Sequence, residues 1–146
     1  MGRIAVIGGS GFAAMRGLTI LGEEFPETPY GRPSAPVSRG VVAGGGEILF
    51  LPRHGGEHGI PPHSIDYRAN IWALKASGAE RVVGLAAVGG IGAACEPRAL
   101  VVPDQIIDYT HGRAHTYFDG EPAAVEHIEL GEPFCADLRG RLLAAC

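Results

Sequence analysis

Ser10 stands in a glycine-rich loop, Gly8-Gly9-Ser10-Gly11, directly behind the apolar run at 3–7 (RIAVI). Such a loop offers backbone N–H groups and a hydroxyl that can cradle a small anion. Gly9, Gly11 and Ala14 also fit the spacing of a dinucleotide site, and a plain strand-to-loop turn would use the same residues. The dinucleotide geometry is short of room: only 12–16 is available for a helix before Gly17, whereas a βαβ crossover takes at least about 10 residues. Arg53 and His54 follow a second apolar run, at the place where open α/β sheets present ligands. A guanidinium fork suits phosphate or carboxylate oxygens and a neighbouring imidazole adds a donor, although a solvated strand end would have the same composition.

His54, His58 and His63 fall within ten residues. Gly55, Gly56, Gly59, Pro61 and Pro62 interrupt any helix there, and no HExxH pattern or cysteine pair completes a tetrahedral set, so no metal is expected. The small residues of 86–92 (AAVGGIG) close a third run, where a flat or anionic ligand could rest on bare backbone, or a helix could pack closely. His111, Arg113, His115 and Tyr117 read as a polar surface loop. Cys95 lies near Glu96 without an adjacent base, which gives it no nucleophilic role.

The elements that must position these residues alternate. Strands are predicted at 3–7, 48–52, 81–88 and 99–107, the third closing as a central strand at 86–92. A helix follows the second run, capped by Ser64, with Ile65, Ala69, Trp72 and Ala76 on one face and Gly78 as its stop, so that the order implies a right-handed parallel crossover. The proline-rich stretch 24–36 reads as an extended arm entering a hairpin of 37–43 and 47–52. Residues 132–146 read as a helix with Pro133 in its first turn and Phe134, Leu138, Leu142 and Ala145 on one face. It ends without a cap, which predicts a chain cut before its fold is complete.

The chain has 146 residues, 46% hydrophobic and 19% charged, with Gly 23 and Pro 11 spread among the apolar runs. That balance builds one loop-rich core and excludes a disordered tail. A net charge of −4 without any basic run gives nucleic acid and anionic membrane no electrostatic footprint. No apolar stretch approaches the roughly 20 residues of a membrane span. Three cysteines without CxxC spacing, and no apolar leader, point to a soluble cytoplasmic protein with reduced thiols.

Six ordered blocks are more specific than any of these signals alone. Gly8-Gly9-Ser10-Gly11-Phe12, Thr28-Pro29-Tyr30-Gly31 with Pro33-Ser34-Ala35-Pro36, Arg53-His54-Gly55, the run 66–75 (DYRANIWALK), 87–91 (AVGGI) and 103–108 (PDQIID) resemble, in order and spacing, the methylthioadenosine phosphorylase group of the trimeric purine nucleoside phosphorylases. The wording of 88–91, of Asp108-Tyr109-Thr110 and of His115-Thr116-Tyr117-Phe118 is most similar to the bacterial branch acting on S-methyl-5′-thioinosine.

This resemblance implies an α/β fold with a nucleoside phosphorylase-like mixed central sheet flanked by helices, truncated, with residues 1–146 forming a single incomplete domain. It implies a pentosyltransferase that cleaves 5′-methylthiopurine nucleosides with phosphate, giving free purine and 5-methylthioribose 1-phosphate in purine salvage. S-methyl-5′-thioinosine is favoured over S-methyl-5′-thioadenosine. The phosphate-binding residues carried over are Ser10, Arg53, His54, Ala86 and Ala87. Ala86 replaces the Thr or Asn common in the family and so offers backbone contact only. Val88 and Gly89 would line the purine, and His127 would reach across a subunit interface, which implies a homotrimer. No cofactor is implied beyond phosphate as co-substrate. In the family the ribose-contacting methionine, a further phosphate hydroxyl and the purine-reading side chain lie on a second half. The chain alone is therefore expected to turn over little or not at all, the alternative being a non-catalytic remnant that binds phosphate or only assembles with partners.

Overall fold

A computed structural model describes residues 2–9, 11, 15–93, 95–120 and 126–146. The chain divides into two compact units, Met1–Ala87 with Arg113–Tyr117, and Val88–Gly112 with Phe118–Cys146.

The first unit is built on a five-stranded mixed sheet: β1 (Ile4–Gly8), β2 (Leu18–Glu24), β3 (Val37–Val42), β4 (Glu47–Pro52) and β5 (Arg81–Gly84), in the order β2-β3-β4-β1-β5. β1 pairs in parallel with β4, Ile4 opposite Ile48, and with β5, Ile4 opposite Arg81. The β2/β3 and β3/β4 pairs are antiparallel. Alternation decides which side chains meet: Ala5, Leu49, Leu51 and Val37 share one core cluster, with Ile7 packed against it. The expected arm and hairpin are thus present. So is the parallel pairing, with helix α1 (Tyr67–Ala76) between β4 and β5. β2 goes to the far edge of the sheet and not beside β1, so the chain does not make the adjacent parallel return that a dinucleotide βαβ unit requires.

α1 starts two residues later than Ser64 would have it. Asp66 is the cap, its carboxylate oxygen accepting the Ala69 N–H at 2.9 Å, while Ser64 ends a short 3₁₀ turn at Pro62–Ser64. Ile65 precedes the helix and so drops out of its angular series. The buried face is Ala69, Asn70, Ala73 and Leu74, two pairs four residues apart, and the alanines let the helix lie close on the sheet. Trp72, expected on that face, is 42% exposed and meets the Tyr30 ring edge-on at 5.7 Å. The stop is as expected: Gly78 takes a φ of +89°, a conformation glycine adopts without a Cβ clash, beside the Ser77 cap.

Two strand expectations are corrected. β5 ends at Gly84, not at 88, and is an edge strand, not a central one. Residues 99–107 form no strand, and Leu100, Val101, Ile106 and Ile107 are exposed. Apolar side chains do not make a strand without a neighbour to share its ladder, and Pro103 has no N–H to give one.

In the second unit α2 spans Ala136–Ala145 with Cys135 at its cap, so Pro133 and Phe134 precede the helix instead of opening it. Phe134, Leu138 and Leu142 are half-buried, as the expected stripe requires, and Ala145 is exposed. Arg139 ties α2 to the preceding segment by donating to the Pro103 carbonyl at 3.0 Å, and it lies 3.7 Å from the Asp104 carboxylate. Among the described residues no helix is long and apolar enough to cross a membrane.

Candidate functional site

The ends of β1, β4 and β5 meet because these strands are parallel neighbours, and Arg53 is the first residue past β4. Its N–H donates to the Gly8 carbonyl at 2.9 Å, continuing the β1/β4 ladder by one step. Its guanidinium crosses β1 and donates through Nη1 to the Leu85 carbonyl at 2.8 Å, just past β5. Leu85 is held there by its own N–H, which donates to the Ile7 carbonyl at 2.9 Å. A single residue thus bridges all three strand ends, by its backbone to β1 and by its side chain to the end of β5.

Gly9 makes this possible. A Cβ at Gly9 would collide with the Arg53 guanidinium, so only a glycine leaves the head group its place against the loop backbone. Beneath the guanidinium lies a cleft of about 390 Å³ lined by Ile7, Arg53, Tyr67, Asn70, Ile71, Gly84 and Ala86. Arg53 is the only charged group in that lining, and among the described residues it pairs with no carboxylate. The carbonyl on Nη1 orients the cation without neutralising it, so the mouth of the cleft favours an anion.

His54, the next residue, is not part of that lining. It is 6% exposed, its Nδ1 donates to the Ile60 carbonyl at 2.9 Å, its own carbonyl accepts the Ile60 N–H at 2.9 Å, and its ring lies 4.6 Å from that of His58. Gly55, with a φ of +79°, makes the turn that brings Ile60 back. Among the described residues no group of three or more potential metal ligands comes together.

Of the residues expected at the site, Arg53 and Ala86 line one cleft, and His54 and Ala87 flank it in sequence without lining it. Ser10 lies outside the described residues, as does Ala14 of the dinucleotide pattern. Ala87 is the last residue of the first unit before the chain passes into the second. There Val88 and Gly89 line a separate cleft of about 610 Å³ together with Gly90, Ile91, Cys95 and Val101, and His127 is exposed in a segment without regular structure.

The cleft also contains residues that pattern reasoning missed. Tyr67, Asn70 and Ile71 come from α1. Asn70 is buried because its amide holds Ser34, Oδ1 accepting the Ser34 N–H at 2.8 Å and Nδ2 donating to the hydroxyl at 2.9 Å. A polar residue between two alanines on a buried helix face was the available signal. Tyr117, expected on a surface loop, is tied to α1: its hydroxyl donates to the Arg68 carbonyl at 2.9 Å and its ring lies 5.2 Å from Tyr30. Burial, then Tyr30 and Asp66, hold its phenol above the ordinary 10.0 against the lowering effect of Arg68, so it remains a donor at neutral pH.

Residues 3–146 match the family described as the Phosphorylase superfamily. The chain is 46% identical over 141 residues to a probable S-methyl-5′-thioinosine phosphorylase of Pseudomonas syringae, covering 97% of this chain and 57% of the relative. It is 45% identical over 145 residues to an S-methyl-5′-thioadenosine phosphorylase of Thermococcus kodakarensis, covering 95% and 52%. Among solved structures, methylthioadenosine phosphorylase from Schistosoma mansoni in its apo form superposes with a TM-score of 0.92 at 36% identity, over 99% of this chain and 52% of that one. The chain therefore spans about half the length of the relatives it matches.

Proposed function

The chain belongs to the Phosphorylase superfamily, and from that premise we propose that it supplies the phosphate-holding part of a purine nucleoside phosphorylase. The observation that carries this is the uncompensated Arg53 guanidinium where β1, β4 and β5 end, locked by Gly9 and the Leu85 carbonyl over a cleft edged by Ala86. The phosphate ligands are Arg53, His54, the backbone at Ala86 and Ala87, and the Ser10 hydroxyl. Phosphate is the nucleophile: one of its oxygens bonds to C1′ as the bond from C1′ to the purine nitrogen breaks, and the base leaves with the electron pair and takes up a proton. Its negative charge also stabilises the positive ribose of the transition state, so Arg53 acts by holding a catalytic anion in line.

The substrate class is 5′-methylthiopurine nucleosides, with S-methyl-5′-thioinosine ahead of S-methyl-5′-thioadenosine. The first of these is named for relatives in Pseudomonas syringae and Xylella fastidiosa that are 46% and 47% identical to the chain. Val88 and Gly89 line the purine, and His127 serves the 5′ end of a neighbouring subunit's nucleoside in a homotrimer. The reaction draws on no metal or organic cofactor. It belongs to purine salvage in the cytoplasm.

No carboxylate or imidazole lines the Arg53 cleft among the described residues, so the proton for the departing base must come from elsewhere. The test joins this chain to the C-terminal half of the Pseudomonas syringae relative and follows base release from S-methyl-5′-thioinosine, with and without phosphate. Release that requires phosphate, and is lost when this half alone is assayed, is the expected result. Release at the same rate without phosphate would contradict the proposal.

A further inference from the structure

We propose that the outer edge of β5, with the flank of α1 beside it, is a docking surface for one β-strand from the half of the relatives' length that this chain does not span. The two edges of the sheet are built differently. β2 carries a register shift between Ile20 and Gly22 and ends on Glu23 and Glu24, two devices that keep an edge from pairing further. β5 has neither. Its register to β1 runs unbroken from Arg81 to Gly84, it contains no proline, and its only charge is Arg81 at its start.

In a parallel ladder a residue turns its N–H and its C=O to one neighbour, and the next residue turns its own to the other side. The N–H groups of Arg81 and Leu85 donate to the Arg3 and Ile7 carbonyls, at 3.4 and 2.9 Å. Val82 and Gly84 therefore hold their backbone groups outward, and among the described residues no strand meets them. The side chains beside this edge are apolar and open: Val82 is 39% exposed, and Ile71 of α1, 40% exposed, lines the Arg53 cleft with Gly84 and Ala86. A strand added along β5 pairs the free backbone groups, covers Val82 and borders that cleft. The occupant follows from length and shape. The Schistosoma mansoni structure superposes on 99% of this chain with 52% of its own, at a TM-score of 0.92. This half thus has the shape of a part of a chain about twice as long, and the surfaces left open here are those available to the remainder. A second copy is the poorer occupant, since β5 against β5 would join four residues a side.

The test is amide hydrogen exchange on this chain alone and on this chain joined to the C-terminal half of the Pseudomonas syringae relative. It involves no phosphate, so its outcome is separate from that of the function proposed above. In the joined protein the Val82 and Gly84 amides should exchange about a hundredfold more slowly than in the chain alone, approaching the protection of Leu85. Fast exchange at 82 and 84 in a joined protein whose Leu85 amide is protected would overturn the proposal. So would protection of both amides in the chain alone together with a dimer in sedimentation, which would give the edge to a second copy. Val82→Pro removes one outward N–H and leaves the Arg81 and Leu85 bonds to the β1 side in place, a substitution that an open edge tolerates. It should lower the urea midpoint of the joined protein and leave that of the chain alone nearly unchanged; equal effects on the two would count against docking. Adding the same C-terminal half as a separate polypeptide should reproduce the protection at Val82 and Gly84, and protection confined to the β2 edge instead would refute the assignment.

Discussion

Arg53→Ala should weaken binding of inorganic phosphate by roughly 1.5 to 3 kcal/mol, about ten- to hundredfold, because a charge-assisted hydrogen bond is lost. The unit should stay folded, since Arg53 lies past the end of β4 and its backbone bond to the Gly8 carbonyl survives the substitution. Arg53→Lys separates charge from geometry. It keeps the positive charge but not a planar fork that binds the Leu85 carbonyl with one nitrogen and keeps further N–H donors for an anion. Its affinity should fall between those of the alanine variant and the unaltered chain. Titration calorimetry on the three proteins checks the order, and an unchanged affinity in Arg53→Ala would remove Arg53 from the site.

Leu51→Ala should cost about 2 to 5 kcal/mol of stability. Leu51 is fully buried in the cluster with Ala5, Leu49, Ala73 and Leu74, where β4 packs beneath α1. Little in that cluster can collapse into the hole, since the facing helical residues are largely alanines already. Urea unfolding should show a lower midpoint with an unchanged slope. Trp72→Ala makes the contrast: it removes a larger side chain, but one lying outside the core against Tyr30, and should cost about 1 kcal/mol from the lost aromatic contact. A larger loss at Trp72 than at Leu51 would put the buried face of α1 where the simple periodicity had it.

That contrast marks how far pattern alone reaches. The hairpin, β1, β4 and the Gly78 stop are legible because each depends on neighbours in sequence: alternation, β-branching, a glycine at positive φ. The face of α1 is not legible in this way. Whether Ser64 or Asp66 caps the helix depends on the prolines forming their own 3₁₀ turn, and Trp72 is drawn out of the core by Tyr30, which is 42 positions earlier in the chain. Residues 99–107 are misread for the opposite reason: they have the apolar content of a strand and no partner among the described residues to make them one.

The candidate site divides in the same manner. Arg53 and Ala86 are visible as residues that end strands, and the parallel order of β4, β1 and β5 brings them together. The role of Gly9 is invisible in the sequence, since nothing in a glycine loop says that a guanidinium 44 positions later will occupy the space of its missing Cβ. The blocks 28–36 and 66–75, which carried the resemblance without an evident reason, acquire one: Asn70 clasps Ser34 and Trp72 meets Tyr30, so the arm and the helix are held as a pair behind the cleft.

Amide chemical shifts of the ¹⁵N-labelled chain, followed as inorganic phosphate is added, address the central claim without any substitution. Saturable changes concentrated at Gly9, Arg53, His54, Ala86 and Ala87 are predicted, all displaced together to about ten- to hundredfold higher phosphate in Arg53→Ala. Changes that leave these five amides in place and appear instead on the β2–β3 edge or along α2 would contradict it.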